Sequence, residues 1–202
     1  PPPIGQPVAD PVAPRRGGAA RVIGVVLILA GLGGAVGLYL AQRSAYSDAV
    51  GNLQRGASGL RTEFVFEKEG TFTLYYEYAG TFSAKVNGRE KELTADAGSS
   101  PRRLDVRLLD ADGDDVRLLR DVPDTDYDID GHRGVVYKQV RIRDTGKYVL
   151  EVGAKNDQFA IAVGAGVVER PSVVLAALIA LVGVLLGALL LALGGRRRAS
   201  AD

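Results

Sequence analysis

The sequence predicts an all-β sandwich of about eight antiparallel strands placed between two transmembrane α-helices. Three observations carry that reading. Two uncharged apolar blocks, residues 22–41 and 173–193, stand toward opposite ends of the 202-residue chain, and each is long enough to cross a ~30 Å hydrocarbon core as a helix. Between them, short runs of alternating apolar and polar residues recur at regular intervals, broken by Gly, Asn and Asp turn signals, as expected of half-buried strands. No helical period separates those runs, so crossover helices and a parallel sheet are not expected.

Residues 1–21 begin "PPPIGQPVADPVAP", which holds six of the nine prolines. Such a segment favours extended polyproline II geometry and is expected to be a disordered cytoplasmic tail. A docking peptide for a cytoplasmic partner is its functional alternative. The chain carries no methionine, which is expected to reflect removal of the initiator.

Residues 22–42 are predicted as the first transmembrane helix, "VIGVVLILAGLGGAVGLYLA" over 22–41. It is apolar on every face, whereas a helix of a soluble core keeps a polar stripe. It also exceeds a signal-peptide core, and Tyr39 and Arg43 break the small-residue pattern of a cleavage site, so an uncleaved anchor is expected. Residues 172–194 supply the second helix, and 195–202 a basic tail. Arg15, Arg16 and Arg21 precede the first block, while Arg196, Arg197 and Arg198 follow the second. Clustered positive charge stays inside, so both termini are expected in the cytoplasm and residues about 43–170 outside the plasma membrane.

Within the membrane, Ala30, Gly34, Gly37 and Ala41 share one helical face, and Ala176, Ala180, Gly183 and Gly187 share another. Small-residue stripes of this kind let backbones approach closely, either against each other or against a partner's helices. Neither block contains Asp, Glu, Lys, Arg or His, which argues against a pore, proton relay or transporter.

Residues 43–59, "RSAYSDAVGNLQRGASG", read as a helical or loop linker ending at Gly56 and Gly59. The sandwich is assigned to 60–166, with strands at 60–67, 71–78, 80–87, 104–109, 116–120, 135–143, 148–152 and 158–163. Phe72, Leu74, Tyr76 and Tyr78 share one face, as do Phe82, Ala84 and Val86, and Asn87 and Gly88 make a hairpin signal. An immunoglobulin-like or jelly-roll-like arrangement is expected, with a small barrel as the alternative. "DTGKYVL", residues 144–150, is similar to the tyrosine corner of immunoglobulin-like domains, although Leu150 stands at its cysteine position and the chain has no tryptophan. With no cysteine at all, the domain must be held by core packing.

Residues 44–170 carry 22 acidic against 18 basic side chains, and no basic stripe with interleaved aromatics suggests nucleic acid. "DTDYDIDGHRG" places Asp126, Asp128 and Asp130 at alternate positions, with Asp124 before them and Gly131 after. That start matches a calcium-binding helix-loop-helix, but its twelfth position falls on Tyr137 where a bidentate glutamate is needed, and strands flank it. A looser Ca2+ site from the same aspartates is the alternative to simple strand alternation, in which Tyr127 and Ile129 point inward. "DADGDD", residues 110–115, reads as a hairpin turn. His132, the one histidine, is assigned to a surface loop, since nothing around it builds a nucleophilic triad. No phosphate-loop, dinucleotide or zinc-protease motif is present, so no enzyme activity and no cofactor are expected.

The proline-rich tail, "EKEGTFTLYYEYAG", "RLLDADGDDVRLL", "DYDIDGHRGVVYKQVRIRDTGKYVLEV" and the Leu-rich terminal block together resemble uncharacterised two-span envelope proteins of actinobacteria. That resemblance implies the architecture and a plasma-membrane setting, and transfers no catalytic or binding residue. The expected role is a non-enzymatic interaction or accessory protein, such as a small subunit of a larger membrane complex, in contact with lipid and with a protein partner. An extracytoplasmic cation or ligand sensor using residues 124–130 is the alternative.

Overall fold

The computed structural model describes residues 17–86, 89–99, 104–119, 125–153, 158–166, 168 and 170–196. The proline-rich segment with Arg15 and Arg16, the Asn87 and Gly88 turn, Asp124, and Arg197 and Arg198 lie outside them. Two compact units emerge, residues 1–41 with 172–202, and residues 42–171.

The first unit pairs α1 (Gly17–Gly51), as far as residue 41, with α2 (Val173–Arg196). Their apolar stretches, Ala19–Gly51 and Val173–Leu193, are long and apolar enough to cross a membrane. Large apolar side chains stand outward on both, with Val22 64% and Val174 70% exposed. The helices meet through glycine: a Cβ on Gly31 would lie 2.7 Å from the Gly183 Cα, and one on Gly24 would lie 2.8 Å from the Gly187 carbonyl oxygen. Only residues without a side chain permit such an approach.

On the second helix these contacts fall on the predicted face, where Ala176 and Gly187 are buried and Ala180 and Gly183 half-buried. On the first helix the contact face differs from the expected one. Ala30, Gly34, Gly37 and Ala41 are exposed, and Gly34 and Gly37 face open space, while Gly24 and Ala35 are buried and Gly31 is half-buried. Both faces are rich in small residues; the one used sets glycine against glycine.

The second unit contains two antiparallel sheets. Its strands are β1 (Gln54–Ala57), β2 (Arg61–Phe66), β3 (Gly70–Val86), β4 (Arg89–Asp96), β5 (Val106–Leu109), β6 (Asp115–Val116), β7 (Leu118–Leu119), β8 (Asp126–Ile129), β9 (His132–Ile142), β10 (Gly146–Val152) and β11 (Ala160–Ala165). The larger sheet runs β1-β11-β3-β9-β7, with β4 also on β3 and β8 also on β9; the smaller runs β2-β10-β5-β6. Phe64, Phe66, Tyr148 and Leu150 from the small sheet pack with Leu74, Tyr76, Val140 and Ile161 from the large one, as a sandwich requires.

Among the described residues eleven strands stand where about eight were expected: β1, β4 and β8 are additional and run 116–120 divides into β6 and β7, while one fusion removes a strand. Runs 71–78 and 80–87 fuse into the 17-residue β3, because Gly80 sits inside the strand with φ 140° rather than in a turn. β4, "REKELTAD", is charged and mostly exposed, so it shows no apolar alternation. β1 and the last turns of α1 occupy the stretch read as a linker.

Local chemistry fixes the joints. The Gln54 side-chain amide donates to the Val65 carbonyl at 2.9 Å and accepts from the Val65 N–H at 3.1 Å, so one side chain bridges β1 to β2 as a strand would. The Tyr148 hydroxyl donates to the Asp144 carbonyl at 2.8 Å, completing the tyrosine corner. In the "DADGDD" turn, the Asp110 carboxylate accepts the N–H groups of Asp112 and Asp114.

Candidate functional site

A buried polar cluster lies on the outer side of the large sheet, where an exposed face was expected. Along β3, Leu74 and Tyr76 point into the sandwich, so alternation turns Thr73, Tyr75 and Glu77 to the other side. That side is also covered. Residues 42–51 of α1 lay Tyr46 and Val50 over it, and with Leu53 they pack on Tyr75, Tyr127, Ile129 and Ala162. Glu77 is therefore fully buried.

The strand register explains how so many large polar groups fit. Across the sheet, Ala57, Ala160, Glu77, Gly134 and Tyr127 form one row. Its small members leave the space that neighbouring side chains fill. The Tyr127 ring lies over Gly134, where a Cβ would sit 2.5 Å from Cζ, and the His132 ring lies over Gly80.

Glu77 is saturated with donors. Arg55 Nε donates to Oε1 at 3.0 Å and to Oε2 at 3.1 Å, the Tyr127 hydroxyl donates to Oε2, and His132 Nδ1 lies 3.1 Å from Oε1. A carboxylate offers about four lone-pair sites, and these contacts use them. The rest of the Arg55 guanidinium faces the end of α1, with Nη2 donating to the Val50 carbonyl at 2.8 Å and Nη1 to those of Leu53 at 2.9 Å and Gly51 at 3.4 Å. One cation thus satisfies both a buried anion and the open carbonyls of a helix C-terminus. Burial, together with the adjacent Glu77 charge, pushes the Tyr127 phenol far above its usual range, so it remains a proton donor.

His132 departs from its predicted surface-loop position. It opens β9, its side chain is only 19% exposed, and it closes the cluster against Glu77. The surface loop shrinks to a two-residue turn, Asp130 and Gly131, both with positive φ. That tight geometry brings His132 directly under the sheet's cover.

The aspartates do not converge. β8 alternates as predicted, with Tyr127 and Ile129 buried and Asp126 and Asp128 exposed. Asp126 pairs with Arg170 at 2.6 Å, Asp128 with Arg133 at 3.2 Å, and Asp130 accepts a hydrogen bond from Ser47. Among the described residues, no three His, Cys, Asp or Glu side chains gather in a way that suits a metal ion. The strand and its turn send Asp126, Asp128 and Asp130 each to a different protein donor, while Asp124 lies outside the described residues.

A scan against protein-family models gives no match for this chain, and a comparison with curated proteins gives none either. The site must be interpreted from its own geometry. Both oxygens of Glu77 are engaged by protein groups, and through Arg55 the cluster ties β3 to the end of α1. Arg55 and Glu77 were not foreseen from sequence. The available signal was "LYYEY", in which aromatics occupy both strand parities and so announce that both faces of β3 are covered.

Proposed function

We propose that the chain is a non-enzymatic, membrane-anchored interaction or accessory protein. Its two apolar helices cross the plasma membrane with both termini in the cytoplasm, and its β unit stands outside. A role as a small subunit of a larger membrane complex fits this layout, as does membership among the two-span envelope proteins of actinobacteria that the sequence resembles.

The observation that carries the reading is the distribution of exposed apolar side chains. In the β unit, Val65 and Leu119 are the large hydrophobics left exposed among the described residues; all others, from Val22 to Leu193, are on the two helices. Water disfavours each by about 25 cal/mol per Å2 of apolar surface, whereas hydrocarbon accepts them, and positive residues flank the outer ends of both apolar blocks. The outer face of the small sheet, in contrast, is a solvated ladder: Arg61 pairs with Glu151, Glu151 and Asp115 with Arg107, and Lys147 with Glu63.

The decisive experiment uses the absence of cysteine. A membrane-impermeant maleimide on intact cells should label Lys147→Cys, 72% exposed at its side chain, and should label Ser200→Cys only after permeabilisation. The opposite pattern would reject the topology. Purification in mild detergent with mass spectrometry then tests the accessory role, which recovery of a clean monomer would count against.

A further inference from the structure

The junction between the two sheets holds a cleft of about 540 Å3 lined by Arg117, Arg141, Arg143, Asp110, Asp115 and Asp144. That volume is typical of a small-ligand site. Arg117 stands between β6 and β7, where the chain crosses from the small sheet to the large one. β7 pairs with β9 as Leu118 to Val140 and Leu119 to Gln139. Continuing that register by one residue sets Arg117 opposite Arg141. Arg143 follows two positions along, on the same side as Arg141.

Like charges directly across a strand pair are destabilising. None of the three arginines has an ion pair within 4.0 Å among the described residues, although eight other pairs are formed. Two of the three carboxylates in the cleft are engaged elsewhere. Asp115 takes both hydrogen bonds of Arg107, at 3.0 and 2.6 Å, which holds its carboxyl below the usual range. Asp110 accepts the two backbone amides of its own turn. Among the described residues that line the cleft, Asp144 is the remaining carboxylate beside the three guanidiniums.

From this arrangement we propose that the Arg117, Arg141 and Arg143 cleft binds a phosphoryl group. A tetrahedral dianion presents oxygens to three separate guanidiniums at once, which a planar carboxylate does not, and guanidinium forks suit such oxygens. Bound there, it removes the repulsion between Arg117 and Arg141. The same chemistry is offered by a free phosphate compound and by a phospholipid headgroup. This site is independent of the helix topology and of the accessory role.

The test uses the full chain, which lacks cysteine, with Leu119→Cys at the lip of the cleft carrying an environment-sensitive fluorophore. In neutral detergent, pyrophosphate at constant ionic strength should give a saturable spectral change that sodium acetate does not reproduce. Arg141→Gln and Arg117→Gln should each weaken the response at least tenfold, and Arg141→Lys less. Neither glutamine variant should melt earlier than the parent at low salt, since each relieves a like-charge contact. In a second arm without soluble phosphate, the labelled chain is placed in phosphatidylcholine nanodiscs with or without phosphatidylglycerol. A change only with phosphatidylglycerol assigns the phosphoryl group to a lipid headgroup; a change only with pyrophosphate assigns it to a free ligand. Silence in both arms, or a response that Arg141→Gln leaves intact, overturns the proposal.

Discussion

Replacing Glu77 by glutamine removes the charge that faces a guanidinium 3.0 Å away while keeping nearly the same shape. Both partners are buried, Glu77 fully and Arg55 to 8% exposure, so water does not replace the lost anion. Breaking a buried ion pair from one side costs about 3–5 kcal/mol, because the surviving charge is left uncompensated. Arg55 keeps the carbonyls of Val50, Gly51 and Leu53, and the glutamine amide oxygen still accepts one hydrogen bond, which places the cost near the lower bound, about 3 kcal/mol. For a β unit spanning residues 42–171, each kcal/mol corresponds to roughly 3–5 °C, so Tm should fall by about 10–15 °C. Tyrosine fluorescence during heating of the full chain in neutral detergent reads this directly, since there is no tryptophan to mask the eight tyrosines. Arg55→Met with Glu77→Leu should recover most of the loss, as an apolar pair carries no desolvation cost. A Tm drop below about 2 °C for Glu77→Gln, or a double variant as unstable as the summed singles, would refute the clamp.

Three further outcomes follow from the same geometry. Tyr127 has a folded-state pKa raised above its unfolded value, so its contribution is fully present below about pH 10 and is lost as pH rises above it; an absorbance titration should show a phenol that ionises only with unfolding and that Tyr127→Phe deletes. Gly134→Ala puts a methyl group 2.5 Å from the Tyr127 ring and should cost about 1–3 kcal/mol as overpacking, measured by the same melting assay, while Gly33→Ala, in open space, should leave Tm unchanged. Gly31→Ile should force α1 and α2 apart at Gly183 and lower the melting temperature of the helical circular-dichroism signal in neutral detergent, whereas Gly34→Ile, in open space, should leave it unchanged.

Alternation carried far into the fold. It grouped Leu74 and Tyr76 of β3 on one face and turned Tyr127 and Ile129 of β8 inward, because side chains along a strand alternate every second residue. It failed where a strand has no solvated face, or has almost nothing but one. Glu77 reads as an outward charge until the end of α1 is laid over it, and β4 exposes nearly every side chain and so shows no period. The glycine face of α1 failed differently: Gly24, Gly31, Gly34 and Gly37 mark two small-residue faces, and the sequence of one helix does not state which of them its neighbour will use.

The sequence by itself determined two apolar helices, a two-sheet β unit between them, and the turns that set most strand boundaries, since these follow from composition and period along the chain. Tertiary structure alone decided that Arg55, Glu77, Tyr127 and His132 share one buried site, that Asp126, Asp128 and Asp130 serve three different donors, and that Arg117 and Arg141 line one cleft. The physical reason is range. Periodicity reports which side of its own strand a residue takes, whereas the charge or hydrogen bond that residue finds there comes from partners about 20 to 80 positions away, whose register only the packed sheets fix.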